Sequence, residues 1–388
     1  MIRDVAVIGV GATPFRPLTP EVNWKELTYQ AAVQAYEDAG IDPRTDVDSF
    51  ITCAEDYWEG FSIFDEFTPD QLGAALRPMH TVSGDGLLGL ANAVMQIQTG
   101  LFDVVVVEAH SKISELLTYE HVVELAFDPV YEAPLSRERE AHPYYVAGLE
   151  MQLYLHETGV TEEQCAAVVV QDKHNALFNP LAPYGTRLDV NDVLCSPCLS
   201  DPLKQLEVAP RADGCVVFVL AAGEVAERLC EVPVYVEGIG WCSESPWIAA
   251  RGAEAVYARR AAEMAYCQAG ITNPFQQIDF AEVDDKFAYK LLQHLEALGL
   301  AQPGQAGQLL LDGMYSRDGE LPVNPSGGCL GAGDLIEAGG LARALEVVLQ
   351  LREEAGARQL PDVETGVALS WRGVPHGTGA VAVFRRRD

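Results

Sequence analysis

The segment AAVQAYEDAGI at 31–41 returns as AAEMAYCQAGI at 261–271. Each copy is an amphipathic helix pattern closed by a glycine where left-handed backbone is needed. In the first copy Leu27, Ala31, Ala35 and Ala39 line one face. Each copy follows a glycine-containing strand end, AVIGVGATPF or VYVEGIGWCSES, and precedes a short strand signal, VDSFITC or IDFAEVDDKF. Each half then continues through a glycine-rich turn and a long apolar helix into a strand. These are VSGDGLLGLANAVMQIQTG with FDVVVVEAH, and NPSGGCLGAGDLIEAGGLARALEVVLQLR with TGVALSWRG and GTGAVAVFRRR. The repeat predicts an α/β protein of two similar halves, 1–235 and 236–388, packed around central helices. Helix 87–98 is apolar nearly all round and belongs in the middle of the molecule. VVVV at 104–107 suits a strand covered on both faces. The region from about 115 to 215 has no counterpart in the other half. It is rich in Tyr, His and Pro and reads as an inserted loop domain, a common place for substrate contacts.

The formal charge of −31, from 57 acidic against 26 basic residues, argues against nucleic acid or anionic membrane as partners, since both rely on Lys and Arg. A phosphorylated small ligand needs only a local basic pocket and stays open. There is no run of 18 or more apolar residues. The opening MIRDVAVIGVGATPF reads as a strand and a turn, so a cytoplasmic protein is expected. The nine cysteines then read as reduced thiols. Cys195 and Cys198 form a C-x-x-C around Pro197, two ligands short of a zinc site, and no metal or redox cofactor is expected. VIGVGATPF is an incomplete G-x-G-x-x-G dinucleotide fingerprint that lacks its third glycine, and the repeat outweighs it.

Three segments, KHNALFNPLA (173–182), DPLKQLEVAPRADGCVVFVLA (201–221) and LPVNPSGGCLGAGDLIEAGG (321–340), are similar to signatures of the thiolase superfamily. Within it they resemble the sterol-carrier-protein-X-type and acetyl-CoA acetyltransferase-like members. The resemblance covers essentially the whole chain. It implies a thiolase fold, a duplicated five-layer αβαβα subunit with an inserted loop domain. It also implies a homodimer and a coenzyme A thioester as substrate. By the same resemblance Ser83 stands where a thiolase carries its acyl-accepting cysteine. Gly333-Asp334-Leu335 replaces Gly-His-Pro, and Asp284-Asp285-Lys286-Phe287 replaces His-Asp-Cys-Phe. Gly327, Gly328 and Gly333 keep the glycine frame. Losing one member of such an interdependent set typically costs about 10^4- to 10^6-fold in rate, so ordinary cysteine-based thiolysis is not expected.

Three readings follow for the altered site. The chain is a non-classical subunit of a thiolase-type acyltransferase assembly, beside a second thiolase-like chain or a small zinc-ribbon/OB-fold partner, with Ser83 the N-cap of the central helix. Alternatively it is a cysteine-independent aldolase, a lyase of β-hydroxyacyl-CoA. Its proton-transfer groups then come from Asp284, Asp285, Lys286, Asp334, His376 and His80, although a structural salt bridge at Lys286 explains the same residues. In the third reading Ser83 is itself acylated with help from His80 or Asp85. Cys329 reads as a buried side chain rather than a displaced nucleophile. Arg187, Lys204 and Arg211 are the basic candidates for coenzyme A. His174, Asn175 and Asn179 match signature positions whose expected job is loop packing. A non-catalytic scaffold remains the alternative of another class.

Overall fold

The computed structural model describes residues 3–55, 63–115, 127, 130, 142, 144–245, 252–374 and 377–387. In the first half these form β1 (Val5–Ala12), α1 (Trp24–Ala39), β2 (Ser49–Ala54), β3 (Met79–Ser83), α2 (Gly86–Gln98) and β4 (Val104–Ser111). The inserted region contributes α3 (Tyr145–Thr158), α4 (Glu162–Asn175), β5 (Cys198–Ser200) and β6 (Leu203–Lys204) before β7 (Gly214–Ala222) returns to the first half. The second half runs β8 (Val234–Ser243), α5 (Val256–Ala269), β9 (Phe280–Val283), α6 (Ala288–Ala297), α7 (Gly328–Ala332), α8 (Gly339–Leu351), β10 (Thr365–Trp371) and β11 (Thr378–Arg386).

The strands lie in the order β3-β2-β4-β7-β1-β8-β11-β10-β9. Read outward from the central pair, β1-β7-β4-β2-β3 is answered by β8-β11-β10-β9, with Val323 bridged to Ala281 at the far edge. The two halves meet through antiparallel pairing of β1 and β8. Helices α1 and α5 lie outside, on β1 and β8 respectively. Helices α2 and α8 touch each other and strands of both halves, so they form the layer between the two halves of the nine-stranded sheet. Five layers result, with the apolar helix of 87–98 in the middle as its composition required.

The repeated motif has a steric cause. A Cβ at Gly9 or Gly11 would run into the carbonyl oxygens of Ala35 and Ala31 on α1. A Cβ at Gly238 or Gly240 would do the same to Ala265 and Ala261 on α5. Glycine on the strand facing alanine on the helix lets the two backbones touch. Both helices then end at a left-handed glycine, Gly40 and Gly270. This packing also disposes of the dinucleotide reading, because β1 is antiparallel to both of its neighbours, whereas that fold needs parallel strands.

Two expectations are adjusted. The boundary expected at 235/236 falls inside β8 (Val234–Ser243). The inserted region, among its described residues, is built on two 14-residue helices. Its Val146, Met151, Tyr154 and Val168 share a core with Leu291 and Trp371 of the second half. Among the described residues no helix is long and apolar enough to cross a membrane.

Gly11→Ala and Gly240→Ala should each lower stability by about 1–3 kcal/mol, because backbone must move to admit the methyl group. Gly252→Ala, where nothing among the described residues lies within 4 Å of the added carbon, should stay within about 0.5 kcal/mol. Urea titration of the three variants measures this, and equal midpoints would refute the close-approach explanation.

Candidate functional site

The parallel pair β2 and β3 ends at the register partners Ala54 and Ser83. Two residues on, Asp85 is the N-cap of α2. Its Oδ1 accepts from Leu87 N–H at 2.9 Å and from the Ser370 hydroxyl at 2.6 Å. Its Oδ2 accepts from Gly340 N–H at 2.7 Å, in the first turn of α8. One buried carboxylate thus closes the N-termini of both central helices, where unpaired N–H groups and the helix dipoles favour negative charge. A Cβ at Gly340 would collide with that carboxylate. Burial pushes the Asp85 carboxyl up to about 6, against the opposing pull of Ser370, Lys286 and the two N–H groups. The expectation that Ser83 caps the helix is therefore corrected. Ser83 is the last residue of β3, it is exposed, and its hydroxyl makes no hydrogen bond among the described residues.

Beyond β9, Asp284 and Lys286 fold back on each other. Lys286 Nζ donates to Asp284 Oδ2 at 2.7 Å and to the Trp371 carbonyl at 2.7 Å, with Asp334 Oδ1 at 3.9 Å. Burial opposes the ammonium, yet Asp284 and Asp334 outweigh it and hold Lys286 protonated well above the usual lysine range. Burial likewise opposes the Asp284 carboxylate, and the Lys286 ammonium, with the hydrogen bonds from the Lys286 side chain and N–H, outweighs that, so Asp284 stays below its ordinary range. Asp334 is placed by its backbone, which bonds Pro210 and Ala212, and is the more open carboxylate at 7 % exposure against 1 % for Asp284. The result is a carboxylate–ammonium–carboxylate cluster at the inner end of the site.

A second shell of buried groups fixes it. His294 Nδ1–H donates to the Asp284 carbonyl at 2.7 Å, so its Nε2 is the acceptor for the Tyr257 hydroxyl at 2.7 Å. Burial, then the neighbouring Lys290 charge, lowers His294 to about 4, which keeps it neutral. Lys290 binds Glu150 of α3 at 2.5 Å and lies 4.5 Å over the Trp371 ring.

Comparison with known proteins places this geometry in a family. Residues 249–386 match the family described as Thiolase C-terminal domain-like. Acetyl-CoA acetyltransferase of Methanothermobacter thermautotrophicus is 32% identical over 402 residues, covering 99% of this chain and 100% of that protein. The chain belongs to the thiolase superfamily. The 17-hydroxy-3-oxo-4-pregnene-20-carboxyl-CoA lyase of Mycobacterium tuberculosis is 26% identical over 393 residues, covering 96% of this chain and 97% of the lyase. Among solved structures, the Ltp2-ChsH2(DUF35) aldolase superposes with a TM-score of 0.84 at 23% identity, over 100% of this chain and 99% of that one.

Within the thiolase fold, the expected site residues separate into those that converge and those that do not. Asp284, Lys286 and Asp334 meet. Asp285 does not join them: it accepts from the Cys329 and Leu330 N–H groups and pairs with Asp172, whose carboxyl is raised by burial and by the Asp285 charge. His80 bonds Asn92 at 3.2 Å, and His376 lies outside the described residues. Burial pushes the Cys329 thiol up, so no thiolate forms there. Gly327, Gly328 and Gly333 pack on Ala176, Asp285 and Ala212, with no room for a side chain. Asn175 and Asn179 donate to the Asn324 and Ser326 carbonyls at 3.0 Å each and hold that glycine turn. His174 packs its ring edge against Phe178.

Of the basic candidates, Arg187 is exposed, Lys204 pairs with Glu162 at 3.6 Å, and Arg211 runs beside Asp334 through a backbone bridge. Cys195 and Cys198 are both free and exposed. Sequence reasoning missed Glu55, Glu337 and Arg372. Glu337 accepts from Glu55 N–H at 2.9 Å, and Arg372 Nε pairs with the Glu55 carboxylate. Their only signal was position, one at each end of a strand or turn that the fold brings together.

Because Asp85 binds its proton more tightly folded than unfolded, its contribution to stability is full at low pH and is lost as pH rises through about 6. Between about pH 5 and pH 7 it should cost about 1 kcal/mol. Asp85→Asn should remove that slope, leaving a stability difference from wild type that shrinks or reverses toward pH 7. Parallel pH-dependent denaturation of the two proteins checks this. A difference independent of pH would show that the fold does not raise the Asp85 carboxyl.

Proposed function

We propose that this chain handles acyl-CoA thioesters as a cysteine-independent carbon–carbon lyase of the aldolase type, working in a heteromeric or homodimeric assembly. The observation that carries this reading is the Asp284–Lys286–Asp334 cluster. It supplies proton-transfer groups and a positive charge at positions where the thiolase resemblance puts a histidine and an acid/base cysteine. The curated lyase relative and the aldolase fold neighbour support the same direction. Among the described residues no base hydrogen-bonds the Ser83 hydroxyl, and a serine needs an adjacent base to act as a nucleophile.

In the cleavage direction Asp334 takes the proton of the β-hydroxyl. The Cα–Cβ bond breaks, the hydroxyl carbon leaves as an aldehyde or ketone, and the electron pair moves onto the thioester as an enolate. Lys286 bears two hydrogen bonds on three N–H donors, and its charge stabilises the enolate oxygen. Asp284, neutralising one side of Lys286, orients the ammonium. Residues 209–212, beside Asp334 and Lys286, connect this centre to the inserted region and to Arg211, a candidate for coenzyme A phosphate.

A second reading is a non-catalytic subunit that shapes the acyl-CoA channel for another thiolase-like chain or a small zinc-ribbon/OB-fold partner. It is favoured by one observation, the closed pairing of Lys286 with Asp284 and the Trp371 carbonyl, which serves equally well as a structural salt bridge. The name of the aldolase neighbour includes a second component, ChsH2(DUF35), and a partner of that kind fits either reading.

The test is turnover of a β-hydroxyacyl-CoA, and of a 3-ketoacyl-CoA with free coenzyme A, by the purified chain with any partner that accompanies it. The lyase reading expects hydroxyacyl cleavage that falls about 10^2- to 10^4-fold in Asp334→Asn and largely survives Ser83→Ala. Calorimetric coenzyme A binding without turnover would favour the subunit. Thiolysis lost in Ser83→Ala would overturn both.

A further inference from the structure

We infer that Glu55 is a second catalytic residue of this site, carrying a proton to and from the α-carbon of the CoA thioester; this rests on the lyase reading. Glu55 follows β2 directly, one residue beyond Ala54, the register partner of Ser83. It is 3 % exposed. Its N–H donates to Glu337 Oε1 at 2.9 Å, which ties the end of β2 to the turn before α8. Its Oε1 is held by Arg372 Nε. Its Oε2 is shielded from solvent and has no hydrogen-bond partner among the described residues. A buried carboxylate oxygen left without a donor costs about 1–3 kcal/mol or more, and such atoms call for a functional reason.

Arg372 supplies the link to the chemistry. It follows Trp371, whose carbonyl receives Lys286 Nζ at 2.7 Å. Two consecutive residues therefore connect the enolate-stabilising ammonium on one side to the Glu55 carboxylate on the other. On this inference a thioester sets its carbonyl oxygen on Lys286 and its α-carbon toward Glu55, the two groups being joined through the consecutive residues Trp371 and Arg372. There the α C–H bond breaks, its electron pair enters the thioester as the enolate, and the proton goes to Glu55 Oε2. In the cleavage direction the enolate left by breakage of the Cα–Cβ bond takes a proton from Glu55 in its carboxylic form; Glu55 then regains a proton from water, and Asp334 gives the hydroxyl proton up to water. Asp334 serves the hydroxyl and Glu55 the carbon, so the two proton transfers have separate carriers.

The test is deuterium uptake from D2O into the α-position of propionyl-CoA, which has no β-hydroxyl and so requires no carbon–carbon cleavage. It is read by mass spectrometry on the chain with any accompanying partner, beside hydroxyacyl-CoA cleavage. Wild type should exchange. Glu55→Gln should lose about 100-fold or more, with propionyl-CoA binding within about threefold of wild type by calorimetry. Arg372→Gln breaks the ion pair yet keeps the carboxylate, and should lose about tenfold or less. Glu55→Asp should retain measurable exchange and carries the test if Glu55→Gln does not fold. Equal exchange in wild type and Glu55→Gln, or equal loss in Glu55→Gln and Arg372→Gln, would overturn the role of Glu55 while leaving the lyase reading intact. Neither cleavage nor exchange by wild type would overturn both.

Discussion

Two helix N-termini, one from each half of the chain, converge on the carboxylate of Asp85, and the arrangement of the site depends on that contact. Each 13-residue helix brings unpaired N–H groups and the positive end of its dipole into the interior, where water cannot satisfy them. Asp85 meets Leu87 of one helix, Gly340 of the other, and Ser370 at the end of β10. Through these bonds β3, β10 and both central helices are set relative to one another. A hydroxyl at the same point could not bridge both helices in this way, since the carboxylate uses both oxygens. The absence of a side chain at Gly340 is the steric condition for the approach.

The rest of the inner site is a problem of keeping buried charge paired. Asp284 and Asp334 surround Lys286, and Glu55 faces Arg372. Removing one partner from such a buried pair typically costs about 3–5 kcal/mol, so the cluster is held by mutual need. The pairing places an ammonium and two carboxylates of different accessibility within one cluster. That is what proton transfer beside a thioester carbonyl requires. The neutral His294, wedged between the Asp284 carbonyl and the Tyr257 hydroxyl, keeps the strand end in place without adding charge.

Much of this was legible in the sequence, for identifiable reasons. The duplication could be read because close strand–helix contact demands Gly9 and Gly11 against Ala31 and Ala35, and again Gly238 and Gly240 against Ala261 and Ala265. That constraint leaves the same letters at the same spacing. Asp284, Lys286 and Asp334 were visible because each sits within a signature whose glycine or aromatic neighbours persist. The start of the first central helix was misplaced because Ser and Asp are both good N-caps, and only the second helix decides between Ser83 and Asp85. Asp285 was assigned to the cluster because adjacency in sequence hides the alternation of direction along the chain. Its carboxylate turns instead to the first turn of α7. Glu55, Glu337 and Arg372 gave no local signal, since their association depends on residues about 280 and 320 positions apart in the chain meeting at strand ends.

The most direct measurement is intact-protein mass spectrometry of the chain, with any accompanying partner chain, quenched in acid during incubation with a short acyl-CoA and with a 3-ketoacyl-CoA. If the paired charges around Lys286 carry the chemistry, the mass of this chain stays that of the unmodified protein with both thioesters. An acyl adduct mapped to the peptide containing Ser83, or to the one containing Cys329, would contradict the account by showing that a covalent acyl-enzyme forms after all.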